Sequence, residues 1–328
     1  MIQVKNLTKH FILKKRKSGF FGSVKALFSA EREVIRAVDD VSFRIKKGEL
    51  VGYIGPNGAG KSTTIKMLTG ILTPSHGEIL IDGLNPSKNR KENAFQIGVV
   101  FGQRTQLWWD LPVEESFDLL KSIYKIDEKL FKKRLEFFFD LLGLEEFYKQ
   151  QARKLSLGQR MKADIAASLI HSPKVLFLDE PTIGLDLIVK EKVRNFIQKI
   201  NFEDKVTIIL TTHDVGDIEY LANRIIVLDK GKIGYDGNIS NFNKLLGNES
   251  VVNLHFQTPV KNINFPKPFR VKEKISDTQY KIIIPEKEPL SSLLSFLQKK
   301  RIKIQEIQKQ NPDLGLAIKK MYSGKEEL

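Results

Sequence analysis

Nine residues, GPNGAGKST (Gly55–Thr63), constrain the fold of this 328-residue chain more than any other stretch. They follow the apolar run Leu50–Ile54 and open a run of helical period that begins at Lys61. A strand, a glycine-rich turn and a helix in that order place backbone N–H groups and a positive helix end around one point, which suits a phosphate. The pattern G-x-x-x-x-G-K-[ST] adds a lysine for the β/γ charge and a hydroxyl that can ligate Mg²⁺. On this reading Gly55, Pro56, Asn57, Gly58, Ala59, Gly60, Lys61, Ser62 and Thr63 form a nucleotide-phosphate loop, with Lys61 also stabilising charge during reaction and Ser62 on the metal.

The surrounding sequence repeats the same rhythm. ELVGYIG precedes KSTTIKMLTGIL, KVLFLDEP precedes KEKVRNFIQKI, and VTIILTTH precedes VGDIEYLAN. Short apolar runs alternating with helical stretches predict an α/β sheet covered by helices, over about residues 37–246. Residues 113–150 break that rhythm, since VEESFDLLKSIYKI and KLFKKRLEFFFDLLGL have three and four spacing with no strand between them. They read as an inserted helical subdomain, about 104–165. After Asn248 the pattern becomes strand, strand, helix, strand (VVNLHF, TQYKIII, LSSLLSFLQKK, RIKIQ), with KNINFPKPF as a loop, which predicts a small α+β accessory domain over 249–328 behind a first domain of 1–248.

Composition removes several classes. The absence of cysteine excludes disulfide scaffolds, thiolate metal sites and cysteine nucleophiles, and fits a reducing compartment. No run of about 18 uncharged apolar residues is present, so no transmembrane helix is expected. The net charge of +15 sits at the ends: residues 1–36 hold nine Lys/Arg against two Glu, and residues 249–328 hold fifteen Lys/Arg against nine Asp/Glu, leaving +2 for the centre. A near-neutral centre without an aromatic platform argues against nucleic acid as the ligand.

VLFLDEP (Val175–Pro181) is an apolar run ending in two carboxylates, Asp179 and Glu180, an arrangement costly in a buried strand unless the acids have work to do. In phosphoryl-transfer chemistry Asp179 would help hold Mg²⁺ and Glu180 would act on the attacking water.

Together these segments resemble ATP-binding cassette (ABC) proteins. LSLGQR (Leu155–Arg160) is similar to the LSGGQ signature of that family, Gln103 in VVFGQ to its Q-loop, GLD at Gly184–Asp186 to its D-loop, and His213 in TTHD to its switch histidine, all in the family's order. The likeness runs through about residue 240, and GQRTQLWWDLP and EPTIGLD resemble ATPase subunits of bacterial viologen or multidrug exporters with separate membrane subunits. The resemblance implies a P-loop ABC ATPase at the cytoplasmic face of the cell membrane, binding ATP and Mg²⁺, with a second, homodimeric ATP-binding subunit and integral-membrane permease subunits as partners. It implies that Glu180 and His213 act on the γ-phosphate region with Lys61, and that Gln103 joins Ser62 and Asp179 at Mg²⁺. It further implies that Ser156, Leu157, Gly158 and Gln159 cap the ATP held by the other subunit, beside Asp186. Leu157 stands where the family more often has glycine, and Phe11 in LTKHF stands where an adenine-stacking aromatic is expected. A non-transport ABC ATPase and an importer's ATPase share these motifs.

Two features lie outside the motifs. Residues 12–33 join Lys14–Lys17 to an apolar stripe, Phe20, Phe21, Val24, Leu27 and Phe28, suiting either an anionic membrane surface or packing on the chain's own sheet. Trp108 and Trp109 fit an interface anchor or a core role equally.

Overall fold

The computed structural model describes residues 1–14, 32–102, 104–245, 249–260, 263–285, 288–310 and 314–323. These form two compact units, Met1–Gly237 and Asn238–Leu328. The stripe Phe20–Phe28 lies outside the described residues, as does Gln103.

The first unit begins with a long antiparallel ribbon, β1 (Ile2–Lys14) and β2 (Arg32–Ile45). Then come β3 (Leu50–Ile54), α1 (Lys61–Leu68), β4 (His76–Ile81), α2 (Arg90–Gln96) and β5 (Ile97–Phe101). The helical segment contributes α3 (Val113–Tyr124), α4 (Glu128–Leu142) and α5 (Leu157–Leu169). The unit closes with β6 (Val175–Asp179), α6 (Leu187–Glu203), β7 (Thr207–Thr211), α7 (Val215–Leu221), β8 (Arg224–Asp229) and β9 (Lys232–Asn238).

Its six-stranded sheet has the order β5-β6-β7-β3-β8-β9, with β5, β6, β7, β3 and β8 parallel. Strands covered on both faces need apolar residues throughout rather than alternation, and β3 and β7 are buried at all five positions. A three-stranded antiparallel sheet, β2-β1-β4, shares its core: Ile2, Val4 and Leu7 pack in one cluster with Val51, Tyr53 and Ile209. Because the parallel strands point one way, β3, β6 and β7 deliver their C-terminal turns to one edge, where α/β sheets bind ligands. In the helical segment α4 starts at Asp127, whose carboxylate accepts from the N–H groups of Lys129 and Leu130, and stops at left-handed Gly143.

The second unit holds α8 (Ile239–Leu245), β10 (Glu249–Phe256), β11 (Arg270–Lys274), β12 (Gln279–Pro285), α9 (Leu290–Lys299), β13 (Ile304–Gln310) and α10 (Leu314–Ser323). Its sheet is antiparallel with order β11-β12-β10-β13. Val252, Leu254 and Phe256 alternate inward with Tyr280, Ile282 and Ile284, and Leu293 and Leu297 of α9 cover that face. Three features differ from the sequence reading: the start of the unit, a fourth strand, and the closing helix α10 after β13. The division falls at Gly237/Asn238 rather than at 248, because α8 packs with α10 of the second unit. Arg270–Lys274 is a fourth strand, exposed at all five positions and carrying four charges, a common defence of a sheet edge that erases any apolar alternation.

Candidate active site

The turn after β3 has a backbone that only small residues allow. A Cβ at Gly55 would lie 2.8 Å from the carbonyl oxygen of Leu228, and one at Gly60 would lie 2.3 Å from that of Ala37. Gly60 also sits at φ 103°, in the left-handed region that favours glycine. Thr64 donates to the Gly60 carbonyl (3.0 Å) and accepts from the Tyr53 hydroxyl (3.2 Å), pinning the start of α1 to the core. No side chain caps α1, so its first N–H groups stay available to an anion. Lys61 is 93% buried and donates through Nζ to the carbonyls of Gly55 (2.7 Å) and Pro56 (3.2 Å). Burial pushes its pKa down, while Glu180 and Asp179 oppose the shift.

β6 is buried up to Leu178 and then presents its acids. Asp179 Oδ1 accepts from the buried Thr211 hydroxyl at the end of β7. Glu180 stands at φ 59°, unusual for a side chain other than glycine and typical of strained functional positions. Its backbone N–H donates to Thr211 O (3.0 Å), holding the turn against β7. Glu180 Oε1 lies 3.2 Å from His213 Nε2, and the His213 backbone N–H donates to Oε2 at 3.4 Å. Burial raises the Glu180 carboxyl above its ordinary range, which His213 and Lys61 oppose.

A cleft of about 600 Å³ opens among these groups, lined by Asn57, Gly58, Gly60, Lys61, Ser62, Thr63, Asp179, Glu180 and His213. Of the residues singled out in the sequence, these nine thus meet at one place, from three separate turns. Gly55, Pro56 and Ala59 shape the loop from outside the lining, and Phe11 is not in the wall. Phe11 pairs with Ile35 on the ribbon and is 38% exposed, with Lys9 Nζ 5.4 Å from its ring centre. Ala37, Lys66, Ile71, Phe101, Gly102 and Arg104 complete the wall. The sequence reading passed over these, and the only signal among them was the adjacency of Gly102 and Arg104 to Gln103. Ser62 and Asp179 offer hard oxygen ligands in one cleft, a donor set suited to Mg²⁺, which takes one or two protein ligands besides substrate phosphates. Among the described residues no cluster of three or more His, Asp or Glu could hold a metal unaided.

The LSLGQR segment forms the start of α5. Ser156 accepts from the Gln159 N–H (3.2 Å), and Gln159 Oε1 accepts from the Ser156 N–H (3.0 Å), a reciprocal cap. Leu157 turns toward Gly184, its Cδ2 lying 2.9 Å from where a Cβ would stand, and Gly158 faces Val189. Asp186 caps α6 by accepting from the Val189 N–H (2.9 Å), beside Leu187 and Ile188, which are 77% and 70% exposed. The signature and D-loop segments therefore form one partly apolar surface.

The stretch after Gln103 is strapped to α5. Buried Asp164 accepts from the Thr105 hydroxyl (2.8 Å) and the Gln106 N–H (3.0 Å), and burial pushes its carboxyl up to about 6. Trp108 and Trp109 follow, both partly exposed, with the Arg160 guanidinium 5.3 Å from the Trp109 ring centre. Sequence reading missed Asp164, which sits amid helical period with nothing to mark it.

The ABC transporter family model matches residues 38–183. The chain is 35% identical to the ABC transporter ATP-binding protein NatA of Bacillus subtilis, over 64% of this chain and 85% of NatA. It is 34% identical to the methionine import ATP-binding protein MetN 2 of Enterococcus faecalis, over 66% of this chain and 64% of that protein. Among solved structures, the dimeric, ADP- and Pi-bound ATP-binding cassette MJ0796 superposes with a TM-score of 0.60 at 30% identity, over 73% of this chain and 98% of the other. With the phosphate loop, the paired acids and the signature helix in one cassette, the chain belongs to the ATP-binding subunits of ABC transporters and is an ATPase.

Proposed function

We propose that this chain powers export through separate integral-membrane permease subunits, peripherally at the cytoplasmic face of the membrane, as two copies closing on two ATP molecules. ABC ATP-binding subunits work with membrane permeases and dimerise as cassettes. Among the described residues no helix is long and apolar enough to cross a membrane; on this reading the permease subunits supply the transport path. Export is supported by GQRTQLWWDLP and EPTIGLD; a relative named for import matches at 34% identity, so family membership alone leaves direction open.

The observation that carries the chemistry is the convergence of Lys61, Asp179, Glu180 and His213 on one cleft, with Glu180 and His213 3.2 Å apart. Lys61 exchanges the carbonyls of Gly55 and Pro56 for β- and γ-phosphate oxygens, and the uncapped N–H groups of α1 take the remaining phosphate charge. Ser62 and Asp179, with Gln103, would hold Mg²⁺, which when bound supplies charge neutralisation along the phosphates. Glu180 takes the proton of the attacking water or orients it, its raised pKa bringing its basicity nearer the working pH. His213 holds the Glu180 carboxylate and contacts the γ-phosphate. Adenine stacks on Phe11, whose ribbon adjoins Ala37 in the cleft wall. Ser156–Gln159 close the site on the facing subunit, with Asp186 beside them.

Purifying the chain from membranes with whatever accompanies it tests the transport assignment. Recovery of six-helix membrane proteins without a substrate-binding protein is the expected result. A copurifying substrate-binding protein would make it an importer's subunit, and ribosomes or nucleic acid in place of membrane proteins would remove transport.

A further inference from the structure

Glu180 and His213 stand on two different turns, and both turns are tied to one buried atom. Two residues after Glu180, the Thr182 hydroxyl donates to Asp217 Oδ2. One residue before His213, the Thr212 hydroxyl donates to the same oxygen at 3.1 Å. Asp217, on α7, has no exposed surface, and both threonines are buried. Its other oxygen, Oδ1, accepts from Arg194 Nε (2.7 Å) and Nη2 (2.5 Å), with Lys190 Nζ at 3.5 Å. Arg194 and Lys190 lie one turn apart on α6, the helix that Asp186 caps. Lys190 also pairs with Asp214, the cap of α7, and Arg194 Nη2 lies 3.8 Å from Asp214. Two cations thus balance two carboxylates.

Such a network is a poor way to gain stability alone, because desolvation offsets most of the attraction, and apolar replacements of similar volume often do as well. It is a good way to fix geometry: one oxygen receiving both hydroxyls holds the two turns at a set separation, and the guanidinium on Oδ1 opposite the hydroxyls on Oδ2 fixes the carboxylate's orientation.

We propose that Asp217 is a positioning residue for hydrolysis, holding the Glu180 and His213 turns in register through Thr182 and Thr212 and tying that register to α6 through Arg194 and Lys190. This rests on the assignment of Glu180 and His213 to the reaction. Neither Asp217 nor the threonines line the cleft, so they act through the pair and not on ATP.

Steady-state hydrolysis by the full chain tests it with Asp217→Asn, Thr182→Val, Thr182→Ser and a Glu180→Gln control. Asp217→Asn and Thr182→Val should lower kcat roughly 10- to 100-fold, the cost of a misplacement near 1 Å, while KM for ATP stays nearly constant. Thr182→Ser, which restores the hydroxyl, should recover the parental rate. Asp217→Asn leaves two cations short of a counter-charge and risks unfolding; Thr182→Val removes only one hydroxyl and keeps the test open. A folded, ATP-binding Thr182→Val chain with parental kcat overturns the proposal, as does a loss confined to KM or one that merely follows the loss of folded protein. If Glu180→Gln itself retains the parental rate, the catalytic assignment falls instead; if it is slow while Thr182→Val is normal, only the positioning role falls.

Discussion

Two helix N-termini in the same cassette are finished in opposite ways. α1 has no side-chain cap, and its first turn opens into a cleft whose backbone is fixed by Gly55 and Gly60 pressed against the carbonyls of Leu228 and Ala37. α5 is closed by the reciprocal Ser156–Gln159 bonds and stands on a surface with exposed Leu157, Leu187 and Ile188. The first end leaves its donors for a ligand bound by this chain, with the buried Lys61 already in place. The second is a self-sufficient end that holds its shape within the chain through its own bonds. On the proposed reading, one chain carries a nearly complete phosphate site and, separately, the lid for another.

The largest effect should come at the first end. Glu180→Gln should slow phosphate release by about 10² to 10⁴, the usual share of a general base, with ATP binding retained. Parental turnover would remove Glu180 from the reaction.

A pH effect belongs to the α5 side. Burial raises Asp164 to about 6, so the folded chain keeps a proton that the unfolded chain releases. That contribution to stability is full below the ordinary aspartate range and is lost as pH rises through about 6, on the order of 1–3 kcal/mol. Denaturant titrations of parent and Asp164→Asn between about pH 4 and 6 should show a steeper decline with rising pH in the parent. Parallel curves would mean that Asp164 titrates normally.

Glycine substitutions sharpen the contrast further. Gly60→Ala forces a Cβ against Ala37 O at φ 103° and should cost more than about 1 kcal/mol, together with ATP affinity. Gly158→Ala meets only the Val189 side chain, at 3.1 Å, and should stay within about 0.5 kcal/mol. Thermal unfolding of the two variants checks this, and equal losses would break the distinction between a fixed cradle and an adaptable surface.

How far the sequence revealed these sites depends on the kind of constraint involved. Gly60 and Gly55 are legible because a close backbone approach admits few residues, so the chemistry of the turn shows as a motif. Asp179 and Glu180 are legible because charge at the end of an apolar strand is conspicuous. Asp217 and Asp164 are invisible to such reasoning: each sits in an ordinary helical pattern, and its importance arises from Thr182, Thr212 or Thr105, brought near only by tertiary packing. Arg270–Lys274 escaped as a strand because an exposed edge carries charge where an interior strand would show alternation. The break at Gly237 escaped because α8 looks in sequence like a continuation of the cassette, and only its packing with α10 assigns it to the second unit.

The central claim is that the α5 end of one chain completes the α1 site of another. Ser156→Arg blocks the α5 end and leaves the phosphate loop intact; Lys61→Ala damages the loop and leaves the signature intact. Each variant alone should be inactive, and ATPase activity should return when the two are mixed, because one of the two sites in a mixed dimer then combines an intact loop with an intact signature. If both variants are folded, the Ser156→Arg chain binds ATP, and a fully exchanged mixture still shows no recovered hydrolysis, the shared-site account is contradicted.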